Sequence, residues 1–160
     1  MKTEYLKITG TPSDNDIINK AAEVIKSGGI VAIPTETVYG LAGSALIESS
    51  AEKIYMAKGR PADNPLIVHI AYPEDAEKIA YPTETFYKLA KKFMPGPLTV
   101  ILKKRDIIPS TVTAGLDTVG IRCPSNPIAH KLIEVSGHPI AAPSANPVSY
   151  THLRAHETTL

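Results

Sequence analysis

The chain has 160 residues, of which 43% are hydrophobic and 21% charged, and its formal net charge at pH 7 is +1. These values predict one folded domain with a single core, and they exclude an intrinsically disordered chain or a highly charged polyanion binder. The single cysteine, Cys123, excludes an internal disulfide framework and a cysteine-rich zinc site. The charged residues Lys2 and Glu4 mean that the chain does not start with an apolar run, and no segment approaches the ~20 apolar residues of a membrane span. We therefore predict a cytoplasmic protein without a membrane anchor.

The first helix and the first strand are clearly marked in the sequence. Apolar residues recur at helical spacing over 17–25, after Ser13 and Asp14, which are both suited to an N-cap. The Gly-Gly pair at 28–29 predicts the end of this helix. Residues 30–33 are all apolar and lie between glycine and proline, which is typical of a strand buried on both faces.

A polar, turn-rich loop, PTETVYGLAGSA at 34–45, follows this strand directly. Ser49 and Glu52 have the spacing of a capping box and, with Gly59 as the stop, predict a second helix. Because helices and strands interleave, the order favours an α/β sheet with helices packed on its faces, and it leaves open whether the strands are parallel or mixed. We predict further helices over 73–79, 86–93 and 127–136, and strands over 66–70, 98–102, 119–123 and 139–142.

The last residues, VSYTHLRAHETTL from Val148, continue neither the helical nor the strand pattern of the preceding chain. Residues 148–158 resemble the translation of one reading frame of a common transposase-inserted sequencing adapter. We therefore predict that the domain occupies 1–147, is incomplete at its C-terminus, and is followed by a non-native tail at 148–160. His152 and His156 have the spacing of a helical metal pair, but they lack a third ligand, and we predict no metal site.

Two cations near the second predicted helix suggest a site for an anionic ligand. Neither a GxxxxGK[ST] loop nor a GxGxxG fingerprint is present, so other residues would have to bind a nucleotide. Lys58 and Arg60 are candidates, because an ammonium and a guanidinium can together bind phosphate oxygens from two sides. Taken alone, Lys58 is better explained as a cation that complements the dipole at a helix C-terminus.

The motifs and their order resemble those of the YrdC family of threonylcarbamoyl-AMP synthases. The segments are PTETVYGL at 34–41, KGRP at 58–61, NPL at 64–66, PGPLT at 95–99, VGIRCP at 119–124 and PSAN at 143–146. Together they cover nearly all of 13–147. In the family the last loop usually continues with Ser-Gly, whereas here Pro147 runs into Val148, and this departure supports the predicted truncation.

The resemblance implies a YrdC-like twisted, mixed, open sheet and a defined reaction. L-Threonine, bicarbonate and ATP would give threonylcarbamoyl-AMP and pyrophosphate, with Mg²⁺ bridging the phosphates. The product would pass to the downstream threonylcarbamoyl transferase machinery, which modifies adenosine in certain tRNAs. No protein nucleophile is needed, because the threonine carbamate itself attacks the α-phosphate, so positioning and charge neutralisation would dominate catalysis.

The resemblance also implies roles for individual residues. Arg122 would pair with the threonine carboxylate, and Ala142 would contribute backbone atoms. The implied threonine site comprises Thr37, His69, Arg122 and Ala142. The implied ATP site comprises Lys58, Arg60, Asn64, Thr118, Ser144 and Asn146.

Structural explanations compete with several of these roles. His69 on an apolar strand could be a core histidine, and Arg122 could form an ion pair with Asp117 or Glu36. Hydroxyl and amide side chains in the loops, such as Thr37 and Ser144, could serve only to satisfy their own turns.

Two other functions also fit the sequence. The first is a non-catalytic module that binds double-stranded RNA or tRNA through a local basic patch of Lys91, Lys92, Lys103, Lys104 and Arg105. The second is a YrdC-like domain of a HypF-type carbamoyltransferase, although no acylphosphatase-like or zinc-finger segment precedes Ser13. We rank both behind the synthase.

Overall fold

The computed structural model describes residues 3–34, 39–59 and 61–143. The helices in these ranges are α1 (Asp14–Lys26), α2 (Glu48–Lys58), α3 (Ala76–Ile79), α4 (Glu84–Phe93) and α5 (Pro127–Ser136), and a 3-10 turn (Pro73–Asp75) leads into α3. The strands are β1 (Val31–Pro34), β2 (Tyr39–Ser44), β3 (Leu66–His69), β4 (Thr99–Lys103), β5 (Thr118–Arg122) and β6 (Ile140–Pro143). None of the described helices is long and apolar enough to cross a membrane.

The strands form one sheet with the order β1-β2-β6-β3-β5-β4. Strands β3 and β5 run parallel, and the other neighbouring pairs run antiparallel. The parallel pair requires a long crossover, which contains α3, α4 and β4. This arrangement confirms the predicted α/β class and settles the strand directions as mixed.

The two faces of the sheet are covered differently. On one face, α2, α3 and α4 pack on a cluster that includes Leu66, Val68 and Ile121, each at most 1% exposed. On the other face, α1 and α5 pack on the half of the sheet formed by β1, β2 and β6, where they bury Ile33 and Ile140. The helices of this second layer thus cover the β1-β2-β6 half of their face.

The helix starts partly differ from the prediction. The side chain of Ser13 makes no capping hydrogen bond, and the Asp14 carboxylate instead accepts the amides of Thr9 at 2.9 Å and Gly10 at 2.7 Å. These hydrogen bonds, chiefly the one from Thr9, lower the pKa of Asp14. The capping box predicted for α2 is wrong. That helix begins at Glu48 with Ile47 at its N-cap position and no side-chain cap.

Strand β2 was not predicted, because its residues were assigned to the loop after β1. Its sequence, YGLAGS, contains two glycines and an alanine, which have low strand propensity, and it lacks apolar alternation. Pairing with β1 on one side and β6 on the other supplies the backbone hydrogen bonds that hold it as a strand. The polar loop between β1 and β2 is therefore shorter than predicted.

Cys123 follows β5 and is 1% exposed. Its thiol donates a hydrogen bond to the carbonyl of Ala71 at 3.1 Å, and burial raises its pKa to about 11. We expect the native thiol to be nearly inert towards Ellman's reagent at a pH of about 8, since the thiolate is the reactive form. Reaction of one thiol per chain should follow only after unfolding in guanidinium chloride. Prompt reaction of the native protein would contradict this burial.

Candidate active site

One half of a sheet face carries polar side chains that are only partly buried. Side chains alternate between faces along a strand, so the register of β3, β5 and β4 determines which residues share this surface. None of them is fully buried, whereas Val68, Val119 and Ile121 on the opposite face are at most 2% exposed. We call this surface the open face, and it consists of Ile67, His69, Thr99, Ile101, Lys103, Thr118, Gly120 and Arg122.

His69 and Arg122 are direct neighbours on the open face. They are partners in the parallel register of β3 and β5, where adjacent strands lie about 4.8 Å apart. The Nδ1 atom of His69 lies 3.4 Å from the carbonyl oxygen of Ile140. The structure thus brings together two residues that were predicted to bind threonine.

Arg122 reaches across to the neighbouring edge strand. Its Nε donates a hydrogen bond to the Oγ1 of Thr99 at 3.0 Å, and the two residues are partners in the register of β4 and β5. Asp117 precedes β5 whereas Arg122 ends it, a separation of about 16 Å along an extended strand. The alternative ion pair between Arg122 and Asp117 is therefore wrong, and Glu36 lies outside the described residues.

The segment between α2 and β3 is held to the body of the domain by Tyr55. The Tyr55 hydroxyl lies 3.0 Å from the carbonyl oxygen of Asn64 and 3.1 Å from that of Thr111, so these two acceptors share its single hydrogen. The amide of Leu66 also donates to the carbonyl of Val112 at 2.9 Å. Asn64 is consequently fixed just before β3.

Lys58 occupies the last turn of α2 and is half-buried. Gly59 follows at the C-cap with φ of 58° and ψ of 32°, a left-handed conformation that favours glycine. The helix stop predicted at Gly59 is confirmed. The position of Lys58 agrees both with a complement to the helix dipole and with an ammonium placed at the start of the next loop.

The register places the ends of several motif segments together, at the end of the sheet where β1 and β6 finish and β3 and β5 begin. Pro34 pairs with Tyr39 at the β1–β2 turn, and Leu66 pairs with Pro143. Thr118 begins β5 at this same end of the strands, because β5 runs parallel to β3. The predicted ligand residues beyond these strand ends, which are Thr37, Arg60, Ser144 and Asn146, lie outside the described residues.

Ala142 is one residue before the end of β6 and pairs with Ile67. The residue as a whole is 3% exposed, and its side chain packs in the cluster beneath α1 and α5. The role predicted for the backbone of Ala142 stays a prediction.

Residues of the predicted basic patch are partly engaged within the protein. The Arg105 guanidinium lies 4.2 Å from the ring centre of Tyr81, and the ammonium of Lys103 lies 6.0 Å from it. The ammonium of Lys104 donates to the carbonyl of Ile108 at 3.0 Å. These internal contacts reduce the number of cations that the patch can offer to an RNA backbone.

Comparison with known proteins decides the family. A family model for Sua5, YciO and YrdC proteins, described as "Telomere recombination", matches residues 23–158. The chain belongs to the Sua5/YciO/YrdC family. Within the family, it is similar to the threonylcarbamoyl-AMP synthase of Pyrococcus abyssi, with 55% identity over 130 residues, and to that of Bacillus subtilis, with 50% identity over 151 residues.

A solved structure extends this family relationship. The crystal structure of P. abyssi Sua5 complexed with L-threonine matches with a TM-score of 0.77 and 55% identity, covering 81% of this chain and 38% of that one. The matches to the synthases of P. abyssi and B. subtilis cover 81% and 91% of this chain but 38% and 44% of the relatives. The chain thus spans about two-fifths of the length of these Sua5/YciO/YrdC relatives.

Proposed function

We propose that the protein is an L-threonylcarbamoyladenylate synthase, a nucleotidyltransferase that forms threonylcarbamoyl-AMP and pyrophosphate from L-threonine, bicarbonate and ATP. The observation that carries the proposal is the juxtaposition of His69 and Arg122 on the open face. The names of the similar P. abyssi and B. subtilis proteins, and the L-threonine in the P. abyssi Sua5 crystal structure, support it. The product would serve the threonylcarbamoyl modification of tRNA through a downstream transferase.

The threonine end of the site would be organised by Arg122. Its Nε is used by Thr99, so the two Nη nitrogens would receive the substrate carboxylate. His69, on the neighbouring strand, would lie beside the bound amino acid, with Thr37 and the Ala142 backbone completing the pocket. The threonine amine and bicarbonate would join as a carbamate with loss of water, and the chain's task is to orient that carbamate.

The nucleotide would bind towards the opposite end of the strands. Thr118 and Arg122 are four residues apart on β5, about 13 Å, which leaves room for an amino acid and the α-phosphate in line. A carbamate oxygen would attack the α-phosphorus, and pyrophosphate would leave. The residues proposed to bind ATP and to neutralise this charge are Lys58, Arg60, Asn64, Thr118, Ser144 and Asn146.

Mg²⁺ would enter with ATP, bound by phosphate oxygens and water, as is usual for this cation. The described ranges bring together no group of three or more His, Cys, Asp or Glu side chains that could hold it. Lys58 and Arg60 would neutralise part of the phosphate charge beside this metal. tRNA contact and transfer to partner proteins belong to the same proposal.

The proposal is tested by pyrophosphate release from the complete gene product. Release should require L-threonine, bicarbonate and ATP together, and Arg60→Ala should lower it by about tenfold or more with little change in thermal stability. Lys88→Ala is the matched control, because Lys88 is exposed on α4 and pairs with Glu84 there. RNA binding without pyrophosphate release would contradict the synthase proposal and support the alternative, a non-catalytic RNA-binding module.

A further inference from the structure

We infer that Thr99 and Gly120 are positioning residues that set how the Arg122 guanidinium meets the substrate carboxylate. The inference rests on the proposed threonine site and adds two residues to it. Thr99 belongs to the PGPLT segment and Gly120 to the VGIRCP segment. The family resemblance gave neither residue a role.

Thr99 is placed opposite Arg122 by a turn that is hydrogen-bonded to the residue after Arg122. The amide of Gly96 donates to the carbonyl of Cys123 at 2.9 Å, which ties the start of β4 to the residue after Arg122. A Cβ on Gly96 would lie 2.6 Å from the carbonyl oxygen of Phe93, so a larger residue would displace the turn. This anchoring holds the register in which Thr99 faces Arg122.

The hydrogen bond between Arg122 and Thr99 selects one mode of carboxylate binding. A guanidinium can grip a carboxylate through Nε and one Nη, or end-on through both Nη nitrogens. Thr99 Oγ1 accepts from Nε, which leaves the end-on mode. The part of the chain that the structure describes contains no other hydrogen bond or ion pair of the Arg122 side chain, so Thr99 alone there fixes the plane of the fork.

Gly120 provides the space in which Thr99 adopts this position. A Cβ on Gly120 would lie 3.2 Å from Cγ2 of Thr99 and 3.9 Å from Cγ1 of Ile67. The first distance is tighter than an ordinary contact, so an alanine would require the Thr99 methyl to shift by a few tenths of an ångström. Because Oγ1 is bonded to the same Cβ as this methyl, we expect the shift to lengthen the hydrogen bond to Arg122. The φ of Gly120 lies outside the left-handed region, so space and not backbone conformation explains the glycine.

The test uses the KM for L-threonine in pyrophosphate release by the complete gene product. Thr99→Val keeps the shape of the side chain but removes the acceptor, and we expect the KM to rise about tenfold while the KM for ATP stays within about twofold. Thr99→Ser keeps the hydroxyl and should remain close to wild type. Calorimetric titration with L-threonine gives a second readout that does not depend on turnover.

A double variant separates positioning from a loss of folding. Gly120→Ala should raise the KM for threonine, and Gly120→Ala with Thr99→Ser should recover most of the loss, because serine keeps Oγ and lacks the methyl that clashes. An unchanged KM in Thr99→Val, or no recovery in the double variant, would overturn the inference while leaving the synthase proposal intact. A wild-type protein that needs no threonine to release pyrophosphate would overturn both.

Discussion

Replacing Arg122 by alanine is expected to raise the KM for L-threonine on the order of 100-fold, because two charge-assisted hydrogen bonds to the carboxylate would be lost. The KM for ATP should change far less, since the ATP site is proposed at the other end of the strands. Stability should change by less than about 1 kcal/mol, because Arg122 is half-buried and its described bond is the one to Thr99. Pyrophosphate release at varied threonine concentrations, together with a thermal melt, measures both effects.

Arg122→Lys is the informative companion variant. It keeps the positive charge but loses the planar fork, so we expect a KM between those of wild type and Arg122→Ala. Equal KM values for Arg122→Lys and wild type would show that a positive charge alone suffices to bind the threonine carboxylate. A wild-type KM in Arg122→Ala would remove Arg122 from the threonine site.

Tyr55→Phe is expected to lower the free energy of unfolding by about 1–3 kcal/mol, because the carbonyls of Asn64 and Thr111 lose a donor in a partly buried place. The same change frees the segment that holds Asn64 before β3. We therefore expect the KM for ATP to rise about fivefold or more, and the KM for threonine to move less. Denaturant unfolding and initial rates at varied ATP would measure these two effects.

Tyr72→Phe is the matched control for this prediction. The Tyr72 hydroxyl also donates a hydrogen bond, to Oε2 of Glu134 at 3.1 Å, but the residue is 49% exposed and lies beyond the other end of β3. Its loss should change stability by less than about 0.5 kcal/mol and leave both KM values unchanged. If Tyr55→Phe behaved like Tyr72→Phe, the proposed hold on the Asn64 segment would be refuted.

The elements that the sequence predicted well are those whose signals are local. The helix with Asn126 at its N-cap and Gly137 after its end is confirmed, because the Asn126 side chain accepts two amides and Gly137 is left-handed. The apolar run before Pro34 is likewise a buried strand, β1. In each case a few neighbouring residues contain all the necessary information.

The features that were missed depend on partners far away in the chain. Strand β2 is held by pairing with β1 and β6, and its own residues do not favour a strand. Ser49 had the spacing for a capping box, yet α2 begins at Glu48, two residues earlier than that box requires. The bond between Thr99 and Arg122 joins residues 23 positions apart, so it becomes visible only once the strand register is known.

His69 and Arg122 project from β3 and β5, interior strands that each pair with a neighbour on both sides. We expect backbone amides in such strands to be among the slowest in the domain to exchange with solvent, whereas loops and edge strands open locally. The backbone spacing of the two residues should therefore persist when loops open or when the edge strand β4 detaches. A distant core substitution should therefore disturb the pairing of His69 with Arg122 mainly through the fraction of molecules that it unfolds, whereas the bond from Arg122 to Thr99 would also be lost on local opening of β4.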